Sequence, residues 1–93
     1  MAEEERPAPE ELLEQFARLK VTDILFSTMS TIAQLGYAKL GEEARDLQQA
    51  QVAIESLKAL LPVVEAHASE EIVRDYRQVV ANLQLAYVEA AAG

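Results

Sequence analysis

From Ile24 to Ala38 the sequence ILFSTMSTIAQLGYA carries no charged side chain for fifteen residues, in a chain whose composition is 26% charged. Drawn as a helix at about 100° per residue, an ordinary surface helix shows an apolar stripe somewhat over 100° wide. Here Ile24, Leu25, Phe26, Met29, Ile32, Ala33, Leu35, Tyr37 and Leu40 cover roughly twice that arc. Such a helix demands burial on more than one side. The remaining arc, Ser27, Ser30, Thr31 and Gln34, is polar but uncharged and tolerates close helix approach.

The 93-residue chain amounts to one small domain with a thin core. Hydrophobic content of 51%, with three Gly and three Pro, argues against disorder. The abundance of Ala, Leu, Glu and Gln argues for helix. Sixteen acidic residues against eight basic ones leave a net charge of −8, a field that a nucleic-acid duplex repels. The uncharged run falls short of the about 20 apolar residues that cross a bilayer, so neither nucleic acid nor membrane is an expected partner. Without cysteine there is no disulfide framework, and without a secretory start the expected setting is cytoplasmic.

Periodicity and caps predict an all-α fold of three long helices preceded by a short helical arm. Residues 1–8, rich in glutamate and containing Pro7, read as a solvated acidic tail. Residues 9–20 form the arm, with Pro9 in the first turn and Leu12, Leu13, Phe16 and Leu19 on one side. The helical bundle spans residues 22–91. Its first helix is the uncharged one, capped by Thr22 or Asp23 and ending near Leu40, with Gly41 at the C′ position. The next starts at Asp46, with Gln49 three residues on, and reaches His67. Its seam is Leu47, Ala50, Ile54, Leu57, Leu61 and Val64; Pro62 either bends it or ends it near Leu61. Ser69 caps the last helix, whose seam is Ile72, Tyr76, Val79, Leu83 and Ala86 or Tyr87. The two seams face each other as a helical hairpin.

Two neighbours cannot easily cover the wide arc of the uncharged helix, and apolar patches also lie off the seams of the other two. A second copy of the chain, related by a two-fold axis, is the economical cover. The residues expected at that interface are Leu25, Met29, Ile32, Gly36, Val52, Val63, Leu85 and Val88.

Phe26-Ser27-Thr28, Ala33, Leu35-Gly36, Asp46-Leu47 with Ala50, Ile54 and Leu57, and Tyr87-Val88 resemble a family of short bacterial proteins classed only as a domain of unknown function. The resemblance spans about Thr22 to Val88. It departs at Glu65 to Ser69, where the family has a Gly-Asn-containing linker. The resemblance implies a bacterial, cytosolic helical protein and carries no activity with it.

No residue pattern in the chain calls for catalysis, a cofactor or a metal. His67 stands near Glu65, Glu70 and Glu71, but a helix break at Ser69 spoils the spacing a metal site or proton relay needs. Ser27, Thr28, Ser30 and Thr31 have no base along their own helix to activate a hydroxyl. Tyr37, Tyr76 and Tyr87 read as residues at the core edge. The chain is thus expected to be a non-catalytic, homo-oligomeric interaction module whose acidic faces or arm engage a further, unidentified protein, with Leu12, Leu13, Phe16 and Leu19 suited to a partner's groove. The alternative is a small-molecule or enzymatic role in a polar cavity between helices near Ser27, Thr31 and Gln34.

Overall fold

A computed structural model describes residues 9–93; the acidic tail expected over 1–8 lies outside the described residues. Four helices follow one another: α1 (Pro9–Arg18), α2 (Val21–Ala38), α3 (Leu47–His67) and α4 (Glu70–Ala92). Among the described residues there is no strand, and the fold is all-α.

The α3 and α4 starts follow from their caps. The Asp46 carboxylate accepts the Gln49 backbone N–H at 3.2 Å, and the Ser69 hydroxyl accepts that of Ile72 at 3.3 Å. Each satisfies an amide that has no partner within the helix. Glu70 and Glu71 then occupy the first turn of α4, where the helix dipole favours negative charge. α3 runs unbroken through Pro62 and reaches His67 as expected, and the alternative stop near Leu61 does not occur.

α2 departs from expectation at both ends. It begins at Val21, one residue before Thr22, and its N-cap is Lys20, which makes no side-chain capping bond. The Lys20 carbonyl accepts the Asp23 and Ile24 amides at 3.1 and 3.3 Å, closing the first turn ahead of both expected caps. At the other end α2 stops at Ala38 rather than Leu40, and Gly41 does not adopt a left-handed backbone. The chain instead tightens, with the Leu40 N–H on the Tyr37 carbonyl and the Gly41 N–H on that of Ala38. The Asp46 N–H then closes the loop onto the Lys39 carbonyl at 2.8 Å.

α3 is the central element, packed extensively against both α2 and α4, while α2 and α4 share a narrower contact. Met29 from α2, Leu57 and Val64 from α3, and Leu83 from α4 are fully buried where the three meet. The expected α3 seam is largely present, with Ala50, Ile54, Leu57 and Val64 buried and Leu47 and Leu61 half-buried. The α4 seam is rotated. Val73, Val80 and Leu83 are buried, whereas Ile72, Tyr76 and Val79 are half-buried. A single-neighbour heptad misplaces this face because α4 packs on two helices at once: the Phe26 and Tyr76 rings approach to 5.9 Å across α2 and α4.

Gly36 allows the close approach of α2 to α3. A Cβ built there would stand 3.0 Å from the Ala53 Cβ, tighter than ordinary van der Waals contact. In contrast, α1 touches none of the other helices and buries no residue.

Candidate interaction surface

The most distinctive surface lies along α2 and α3. Val21, Ile24, Thr28, Ile32 and Leu35 recur at helical spacing on one side of α2, and Val52, Ala59 and Val63 do so on α3. Near the interhelical loop these two rows flank a groove lined by Ile32, Leu35, Gly36, Lys39, Gln49, Val52, Ala53 and Ser56. At about 140 Å³ it is smaller than the 300 Å³ or more of an ordinary small-molecule pocket. Its lining holds no carboxylate, and its one charged group is Lys39. Val21 is 83% exposed and Leu35 56%, with Ile24 and Val52 about half so. Large apolar side chains exposed in a row, rather than singly, make this the candidate interaction surface.

The expected interface residues divide among four locations. Met29 and Gly36 are buried inside the chain and belong to its own core, Gly36 through its contact with Ala53, so neither is offered to a second molecule. The wheel shows how much of a helix is apolar but not which part its own neighbours take. Leu25 and Ile32 are half-buried and pack against the core. Val52 and Val63 are exposed on the α3 row, while Leu85 and Val88 are exposed on α4, which contributes nothing to the groove. The expected set leaves out Ile24 and Leu35, which are exposed on the α2 row, although their i, i+11 spacing with no charge between them was the signal.

The polar residues of α2 do not enclose a cavity. Ser27, Thr31 and Gln34 are all exposed, and the Thr31 hydroxyl donates to the Ser27 carbonyl at 3.0 Å. Gln34 borders an open, mainly apolar hollow with Ser30, Tyr37, Tyr76 and Val79. A neighbouring hollow of about 350 Å³ between α2 and α4 is lined by Phe26, Ser30, Ile72, Asp75, Tyr76 and Val79. Its hydroxyl is already engaged, since Tyr76 donates to the Phe26 carbonyl at 2.9 Å. The Ser30 hydroxyl lies 3.4 Å from that of Tyr76, and Asp75 is the one carboxylate in the lining.

His67 ends α3 exposed. Among the described residues no group of three or more His, Asp or Glu side chains is gathered to hold a metal ion. Glu65 pairs instead with Arg77 of α4, on the surface.

Arg45 carries a role the sequence did not announce. Its guanidinium donates to the Leu40 carbonyl at 3.0 Å and the Ala90 carbonyl at 3.2 Å, joining the α2 end and the last turn of α4. A cation near two helix C-termini was the available signal, since both ends present unpaired carbonyls and negative dipole.

Among the described residues no helix is long and apolar enough to cross a membrane. Compared with protein-family models, curated proteins and solved structures, the chain matches none.

Proposed function

We propose that this protein is a non-catalytic helical interaction module that works as a homodimer in the bacterial cytoplasm. One observation carries the reading: a charge-poor apolar surface runs along α2 and α3, with Ile24, Leu35, Val52 and Val63 exposed upon it. A small chain cannot leave such a row in water without cost, at about 25 cal/mol per Å² of apolar surface. A second copy is the partner always present at matching concentration. That Thr22 to Val88 belong with a bacterial, all-helical family is part of the same proposal.

Association that buries this surface makes folding depend on protein concentration, because binding to the native state stabilises it by mass action. Thermal melts at 1 and 100 µM test this. The melting temperature is expected to rise with concentration, and one that stays constant over the range would contradict the homodimer.

A further inference from the structure

We propose that α1 of one copy lies in the α2/α3 groove of a second copy, and that the exchange is reciprocal. The inference rests on the homodimer reading and assigns its contact surfaces. The arm is amphipathic and unpartnered in its own chain: Leu12, Leu13, Phe16 and Leu19 share one side, all at least half exposed, with Phe16 at 75%. A ten-residue helix is marginal alone in water and gains its stability by packing its apolar side.

Three features select the groove of another copy. The first is charge. The polar side of α1 carries Glu10, Glu11 and Glu14, and the groove offers Lys39 and no carboxylate, so the acidic arm meets no like charge there.

The second is area. With about 30 Å² of apolar surface per buried methylene and about 200 Å² for a phenylalanine, each arm, together with the groove and the α2 and α3 rows that flank it, hides on the order of 650 Å². Two reciprocal contacts then bury about 1,300 Å², within the range of stable dimer interfaces.

The third is the linker. Only Leu19 and Lys20 separate α1 from α2. The Leu19 N–H is held on the Phe16 carbonyl, Lys20 is extended (φ −91°, ψ 134°), and its carbonyl opens α2. This connection points the arm away from its own bundle, and a short connection that does not fold back favours exchange between copies.

Because the chain has no cysteine, introduced thiols report the contact without competition. Two differently tagged copies are co-expressed, one carrying Phe16→Cys and the other Leu35→Cys or Val52→Cys, and are treated with a short bis-maleimide. The expected product is a covalent dimer bearing both tags with at least one of the two groove positions, whereas a Leu85→Cys copy gives none. Linkage confined to a single chain in the Phe16→Cys/Leu35→Cys double variant would show docking in cis and overturn the exchange. A dimer by mass with no link to either groove position would overturn the exchange while leaving the homodimer standing. A monomer would overturn both. In the full chain, Leu13→Asp/Phe16→Asp is expected to weaken dimerisation about tenfold or more. Because α1 touches no other helix of its own chain, the circular dichroism of the bundle should persist. Unchanged association in that variant would contradict the proposal.

Discussion

Three residues show how the chain fixes the relative positions of its helices. Arg45 ties the α2 end to the last turn of α4 through two carbonyls. Arg45→Ala is expected to lower stability by about 1 kcal/mol, toward the low end for bonds to a charged donor because the residue is exposed. A denaturant melt unchanged from wild type would remove that role. Tyr76 holds α4 to α2 through the Phe26 carbonyl, so Tyr76→Phe should cost about 1 kcal/mol. At Gly36 two effects oppose each other. Alanine favours a helix by about 1 kcal/mol over glycine, whereas overpacking against Ala53 costs about 1–3 kcal/mol. Gly36→Ala is therefore expected to destabilise the wild-type protein, and to stabilise it in an Ala53→Gly background where the contact is relieved. The same sign in both backgrounds, read by denaturant melts, would show that the contact is not tight.

At the scale of elements, α2 determines how the surface is divided. Its core side is met by α3 and α4, and its other apolar flank runs exposed beside the α3 row. Ile32 lies between the two and packs against the core. Ile32→Asp is expected to unfold or dissociate the protein, because an unpaired charge placed there costs several kcal/mol. Wild-type stability and mass would place Ile32 outside both contacts. Much of this architecture was legible in the residues. Asp46 and Ser69 mark helix starts because a side-chain oxygen three residues ahead of a free amide is a local signal. Leu47 to Val64 carried their seam because α3 keeps one continuous face toward the core. What escaped was decided by tertiary packing. The α4 face turned because α2 takes part of it. Met29 and Gly36 moved into the core because the wheel does not reveal which apolar side a neighbour occupies. The start of α2 moved because backbone closure at Lys20 preceded any side-chain cap. The candidate surface was legible only in outline, as an excess of apolar circumference; its groove became visible once α3 lay beside α2.

At the scale of the whole molecule, the chain has a well-packed centre and two unpaired apolar features, the arm and the groove. The fully buried residues, Met29 from α2, Ala50, Leu57 and Val64 from α3 and Leu83 from α4, hold the three helices together, and no charged residue is buried among the described residues. A 93-residue domain has little core to spare, so surface left uncovered on α1, α2 and α3 is a large share of what it can gain by burial. The proposed association of two copies would turn that surface into stability. Light scattering on the eluting protein at micromolar concentration measures this most directly: a mass near twice 10.3 kDa is expected, and a folded helical species at 10.3 kDa would contradict it.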